Sequence, residues 1–203
     1  MTLRRVVLWR HGETDHNAAG RWQGHLDSAL TPTGWNQARF AVPALARFDP
    51  EILVASDLRR AADTATVFAE ASGVPMRIDK RLRETNLGLW QGLNFTEVEA
   101  KWPGMTEAWQ SDATLSPPEG ESRVEVAARA RELVTELDEE FTQTALLCAH
   151  GGLITGLVAR LLDLPVSAWP QLAGIGNCHW SVLTRRSGRT QWRLAVYNAG
   201  ITG

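Results

Sequence analysis

The chain is poor in several features that would have signalled other functions. It has two cysteines, Cys148 and Cys178. They form no spaced metal pattern and suit a reducing compartment, so a cytoplasmic protein is expected. Charge of one sign is not in excess. The formal net charge is −2, which argues against a nucleic-acid or anionic-membrane footprint. No apolar stretch approaches the length of a transmembrane helix, and the four apolar residues behind Arg4 and Arg5 are too few for a signal peptide. Lysine is scarce: only Lys80 and Lys101 among 21 basic residues, which with abundant alanine suits a GC-rich genome. There is no repeat, low-complexity tract or basic run. No aspartate cluster offers magnesium ligands, and no glycine-rich Lys-Ser/Thr loop offers a nucleotide site. His11 and His16 are five apart, not in the helical His-Glu-x-x-His arrangement. Neither a metal nor another cofactor is called for.

What remains is ordinary globular material, 44% hydrophobic and 22% charged over 203 residues. That length suits one large domain and is compatible with two small ones. Nine tryptophans are many for this size, and most are expected simply to pack. The organising stretch is Val6 to Thr14. Val6 to Trp9 run apolar without polar alternation, as in a buried strand, and stop at Arg10-His11-Gly12-Glu13. Gly12 is expected to let the backbone turn sharply. Two polar residues at a strand end are common on loops, so this stretch alone decides nothing.

The rest of the chain alternates strand and helix signals. Thr31-Pro32 opens a helix that runs toward Phe48, with Pro43 expected to kink or break it. Ile52 to Ala55 form a second strand, and Ser56 or Asp57 is placed to cap the helix that continues to about Ala71. A short strand near Met76 to Ile78 leads to Arg83-Glu84. Residues 85–119 are the least regular part. They are expected to form short helices in a lid-like excursion over the sheet edge, with no core of their own. Ser122 and Glu125 have capping-box spacing ahead of a helix to about Glu140. Ala145 to Cys148 make a third strong strand, ending at Ala149-His150-Gly151-Gly152 ahead of an apolar helix to about Leu162. A closing hairpin fits His179–Thr184 and Gln191–Val196, turning through residues 186–189. The expected fold is a layered α/β/α domain, its largely parallel sheet flanked by helices.

Strands joined by right-handed crossovers put their C-terminal ends on one edge. Those ends carry Arg10, His11, Arg60 and His150, with Glu84 after the weaker strand. Gly151 and Gly152 start a helix there, so free backbone N–H groups face the same rim. Two guanidiniums, two imidazoles and helix-end donors describe a site for a phosphoryl group, which arginine meets bidentately. Without a metal to ionise water, one group must attack phosphorus directly, and a neutral imidazole can do so. His11 and His150 both qualify on chemistry alone.

These residues match a known pattern. Leu8-Trp9-Arg10-His11-Gly12-Glu13-Thr14 resembles the signature of the histidine phosphatases, the superfamily that includes cofactor-dependent phosphoglycerate mutase. The segment Ser56-Asp57-Leu58-Arg59-Arg60-Ala61-Ala62-Asp63-Thr64-Ala65 looks like its second motif, whose arginine falls on Arg60. Arg83-Glu84 before Gly88-Leu89-Trp90-Gln91-Gly92 is similar to the segment of the proton donor, and Ala149-His150-Gly151-Gly152 to that of the second histidine. The resemblance implies one domain over residues 1–203, with His11 as nucleophile and Glu84 as acid toward the leaving oxygen. It implies Arg10, Arg60 and His150 as the phosphate clamp, and Asn17, Gln23 and the Gly151 amide as further lining. For these roles the second nitrogen of His11 should donate to a backbone carbonyl, and His150 should be protonated.

A phosphatase is favoured over a mutase. A mutase grips its substrate carboxylate with an Arg-Arg pair in the excursion, and residues 85–118 contain no arginine, only Lys101. A non-catalytic scaffold would be expected to have lost the nucleophile or an arginine, and none is missing. Longer stretches resemble actinobacterial glucosyl-3-phosphoglycerate phosphatases: Arg81 to Thr85, Gly120 to Val124 with Val126 to Arg129, Leu164-Pro165-Val166 with Trp169-Pro170, and Gly176-Asn177. Those enzymes make glucosylglycerate on a route to methylglucose lipopolysaccharides, and Trp22, Trp90 or Trp109 would offer the sugar an aromatic face. The partner implied is a small phosphorylated substrate; a homodimer is compatible with the sequence, and neither nucleic acid nor membrane is expected.

Overall fold

The computed structural model describes residues 2–186 and 189–201. One mixed six-stranded sheet runs through it. Its strands are β1 (Arg5–Arg10), β2 (Ile52–Ala55), β3 (Met76–Ile78), β4 (Thr144–Ala149), β5 (Trp180–Thr184) and β6 (Arg193–Ala199). Their spatial order is β3-β2-β4-β1-β5-β6. The first four in that order are parallel, and β5 and β6 add antiparallel strands at one side. The C-terminal ends of β1, β2, β3 and β4 therefore share one edge, as expected. The hairpin also forms, displaced by up to three residues from expectation; its turn includes Ser187 and Gly188, which lie outside the described residues.

The described residues form seven α-helices, α1 (Asp15–Ala18), α2 (Pro32–Ala46), α3 (Arg59–Ser72), α4 (Phe95–Lys101), α5 (Met105–Ser111), α6 (Arg123–Glu140) and α7 (Gly151–Leu161), of which α2 and α3 cover one face of the sheet and α6 and α7 the other. Side chains alternate across a strand, and β1 splits accordingly. Val6 and Leu8 pack with the apolar sides of α6 and α7, including Leu133, Leu137, Leu153 and Leu157. Val7 and Trp9 pack with Ala38 and Leu45 of α2 and Phe68 of α3. The two cores make the three-layer α/β/α arrangement.

Helix starts follow local chemistry, with two corrections. Thr31 accepts from Gly34 N at the head of α2, and Ser122 and Glu125 form the expected capping box on α6. Pro43 lies inside an unbroken α2. It and Arg39, whose carbonyl loses its helical partner, are both exposed, so the missing bond falls on the solvent side of the helix, where its loss costs least. Neither Ser56 nor Asp57 caps α3. Ser56 accepts from Leu58 N, Asp57 pairs with Arg83, and the Arg59 N–H goes to Asp27, distant in sequence.

The excursion departs most from expectation. Besides α4 and α5 it has a 3-10 turn at Gly88–Trp90. It also has a cluster of its own: buried Leu87, Trp90 and Val98 packed with Trp22, Leu93, Trp102 and Trp109. Tryptophans bury enough area each to give this short segment a small satellite core.

Candidate active site

Four local decisions set the pocket. β1 ends at Arg10, with His11 immediately beyond. Gly12 there does not have the positive φ that a sharp glycine turn would need. It is required instead by close approach, since a Cβ would lie 2.5 Å from the Gly34 carbonyl oxygen at the head of α2. Arg60 is the second residue of α3 and is buried, whereas its neighbour Arg59 points to solvent. His150 is the N-cap of α7. Glu84 follows a 3-10 turn at Lys80–Leu82.

These elements bring Arg10, His11, Asn17, Gln23, Arg60 and Glu84 together in one cleft of about 310 Å³, whose walls also include Trp22, Thr85, Trp109, Gln110 and Gly152. A larger cavity of about 490 Å³ lies elsewhere, against Phe40, His179 and Ile201, and neither arginine of the rim faces it.

His11 is 2% exposed, and its Nδ1 lies 2.7 Å from the Gly12 carbonyl. A carbonyl only accepts, so Nδ1 carries the proton and Nε2 keeps its lone pair. Arg60 Nε donates to that Nε2 at 3.3 Å. Burial first, then the neighbouring Arg10 and Arg60, hold the His11 pKa well below the ordinary imidazole value. The same causes act on His150, whose ring centre lies 5.1 Å from that of His11. Among protein groups alone this disfavours the charged His150 ring; the protonated ring expected from sequence concerns the site with a phosphoryl group in place. Both ring nitrogens of His150 are buried without a protein partner, and so is Arg10 Nε. Buried polar atoms are normally satisfied, and three such atoms together mark a place for an anion. Burial also lowers the Arg60 pKa, to about 10, which leaves the guanidinium charged at neutral pH.

The remaining expected residues are preset as donors. Asn17 Oδ1 accepts from Thr14 N and Asn177 Nδ2. Gln23 Oε1 accepts from the Thr14 and Ser28 hydroxyls. Both amides are thus left with their NH₂ groups for the cleft. At the start of α7, Gly151 passes close to Arg10, where a Cβ would sit 3.5 Å from Arg10 Nε. The next two amides, Gly152 and Leu153, are not free: both donate to the Glu84 carboxylate at 3.0 Å.

Sequence reasoning missed Asn177 as a site residue. It donates to the His11 carbonyl and to Asn17, each at 3.1 Å, and so ties the segment ahead of β5 to the loop that carries His11. It also missed Arg21, a cation on the cleft wall contributed from outside the excursion and tied to Gly92 O and Glu97. Lys101, the only excursion cation, is not on the wall.

The sequence profile of the histidine phosphatase superfamily (branch 1) matches residues 6–199. The chain belongs to that superfamily. Within the histidine phosphatases it is similar to a glucosyl-3-phosphoglycerate phosphatase of Mycobacterium tuberculosis H37Rv, 46% identical with 98% of this chain and 96% of the relative covered. It is likewise similar to the enzyme of that name from Mycolicibacterium vanbaalenii, 47% identical over 98% and 96%. Among solved structures, a mycobacterial glucosyl-3-phosphoglycerate phosphatase complexed with VO3 superposes with a TM-score of 0.92 at 49% identity, covering 97% of this chain and all of that one. The four histidine phosphatase segments read from the sequence all supply groups to the cleft region. Among the described residues, no helix is long and apolar enough to cross a membrane.

Proposed function

We propose that this histidine phosphatase hydrolyses a phosphomonoester at His11 and that its substrate is glucosyl-3-phosphoglycerate. The observation that carries the reading is the His11 Nε2 lone pair, fixed by the Gly12 carbonyl and set between Arg10, Arg60 and His150. In the first step Nε2 forms an N–P bond as the ester P–O bond breaks, and Glu84 gives its proton to the departing alkoxide. Water then adds to phosphorus, the N–P bond breaks, and the proton released from water returns to Glu84. Arg10 and Arg60 stabilise charge on the transferring oxygens. Asn17 and Gln23 donate to the same oxygens, as does Gly151 N. A bound phosphate would favour the charged form of His150, which joins the clamp only then.

Glu84 must leave the Gly152 and Leu153 amides to act as the acid, because in its present position those donors hold its oxygens. The arriving phosphate competes for the same helix end. Fixed charge comes from the guanidiniums, so the enzyme works without a metal. The whole chain serves as one cytoplasmic domain. For the sugar, Trp22 and Trp109 face the cleft, whereas Trp90 is fully buried beneath them and serves packing.

The test is kcat/KM for glucosyl-3-phosphoglycerate against a simple aryl phosphate, in EDTA, together with 3-phosphoglycerate plus 2,3-bisphosphoglycerate as a transfer assay. Inorganic phosphate should dominate and the sugar-bearing ester should be preferred. Dominant 2-phosphoglycerate would make the protein a mutase. Equal efficiency on the two esters would remove the substrate, and loss of activity in EDTA would remove the metal-free mechanism.

A further inference from the structure

The short loop that presents Glu84 is gripped by three residues that do not line the cleft: Arg129 of α6, Glu121 and His25. Arg129 Nη1 donates to the carbonyls of Arg81 and Arg83, each at 2.7 Å. Its Nη2 donates to the Glu84 carbonyl at 2.8 Å. The same guanidinium meets both oxygens of Glu121, at 3.1 and 3.0 Å, and Glu121 in turn accepts from Asn86 N at 2.8 Å. His25 Nε2 lies 2.8 Å from the Glu84 carbonyl on its other side. Since that carbonyl only accepts, both groups donate, and its two lone pairs are filled.

Two donors on one carbonyl oxygen fix the 84–85 peptide plane. That plane sets the direction in which the Glu84 side chain leaves the backbone. The Thr85 N–H, in the same plane, then donates to Glu84 Oε1 at 2.8 Å. His25 adds a link to the phosphate clamp, because the carbonyls on either side of it, Gly24 and Leu26, accept from Arg60 at 2.8 Å. The acid and the clamp are therefore registered to each other through residues 24–26, and to the body of the fold through Arg129. His11 and Arg10 sit at the end of the central strand β1 and need none of these bonds.

We infer that Arg129, completed by Glu121 and His25, is a positioning group that fixes the backbone from which Glu84 reaches the leaving-group oxygen, without touching substrate. The inference rests on Glu84 being the acid. It predicts a selective defect. A group that only aims the acid matters when the leaving alkoxide needs a proton and hardly matters when the leaving group is a weakly basic phenolate.

The experiment measures kcat/KM, which reports steps through P–O cleavage, on glycerol 3-phosphate and on p-nitrophenyl phosphate. Arg129→Lys should lower the first by roughly 30-fold and the second by no more than about 3-fold, the scale of a misplaced catalytic group. His25→Phe keeps ring volume, removes one of the two donors, and should show the same selectivity at about 10-fold or less. In a Glu84→Gln background, Arg129→Lys should cost nothing further in the alkyl-to-aryl ratio, a coupling that general destabilisation would not produce. If Arg129→Lys does not fold, His25→Phe alone and combined with Glu84→Gln decides. Equal losses on both esters, or additivity with Glu84→Gln, would overturn the inference while leaving the phosphatase intact. If Glu84→Gln itself falls equally on both esters, the acid assignment fails and the inference with it.

Discussion

The rim of the sheet and the excursion that covers it are built on opposite terms. The rim residues Arg10, His11, Arg60 and His150 hang from β1, α3 and α7, and three of the four are 2% exposed or less. The excursion spends its apolar side chains differently. Trp90 and Val98 are buried in a satellite core, while Leu89 and Phe95 stand 48% and 54% exposed. The rim is anchored by the sheet and by both main cores. The excursion leans on a handful of aromatic contacts and meets the rim mainly at the cleft. This difference implies a division of labour. On the function proposed above, chemistry would fall to the rim, and choice among phosphomonoesters to the excursion and the loop carrying Trp22.

The largest effect should come from the rim. His11→Ala should abolish turnover and covalent labelling, because among the described residues His11 is the one imidazole on the cleft wall. His150→Ala should slow the reaction by roughly 10²- to 10³-fold, as for removal of one charge-stabilising donor, and still leave some phosphoenzyme trapped. Acid-quenched His11→Ala that still carried phosphohistidine would show the nucleophile to be elsewhere and would dissolve the contrast between the two regions.

The same contrast explains what could be read from sequence. Strand β2 was found at its bounds, Ile52 to Ala55, because an uninterrupted apolar run between breakers has few other uses. The capping box at Ser122 was also legible. Pro43 misled because a proline's cost depends on which side of the helix faces water, and Arg39 and Pro43 are both exposed. Gly12 was read for a turn it does not make, since its true neighbour, the Gly34 backbone, is close only in space. The cap from Asp27 on α3 and the Asn177 bonds to His11 and Asn17 are long-range, and no local pattern announces them. The aromatic cluster was missed for the converse reason. Three tryptophans in an irregular stretch and one in a loop far upstream read as scattered packing, and only the fold shows that Trp22, Trp90, Trp102 and Trp109 meet.

A second measurement probes how dry the rim is. Burial first, then the guanidiniums, push His11 and His150 well below the ordinary imidazole pKa of about 6.5. Both rings should stay neutral as the pH falls through that value, so neither imidazole should titrate by NMR between about pH 6 and 8 in the free protein. The unfolded chain does take up those protons. Stability should therefore be complete above about pH 6.5 and be lost progressively as the pH falls from there toward the depressed folded values. A His11 midpoint at or above 6.5 would mean that the rim is open to water and no more buried than the excursion.

The smallest expected effect tests the other half of the comparison. Trp109 sits on the cleft wall, with its ring 5.9 Å from Trp22 and 5.8 Å from Trp90. Arg123 braces it from outside, with Cζ 5.3 Å from the ring centre and Nη2 donating to the Trp109 carbonyl at 2.6 Å. A sugar carried on the glycerate would extend from the clamp toward this wall, where an aromatic face takes the apolar side of the ring. Trp109→Phe keeps an aromatic contact in the satellite core and shrinks the platform. It should raise KM for glucosyl-3-phosphoglycerate by about 3- to 10-fold, the scale of one aromatic contact, with kcat nearly unchanged. For glycerol 3-phosphate, which lacks the sugar, neither constant should move, because the clamp and Glu84 are untouched. A loss shared by both esters would mean that Trp109 supports the rim through packing, and an unchanged KM would place the sugar on another wall. Only a defect confined to the sugar-bearing ester would show that the excursion selects substrate while the rim performs the chemistry.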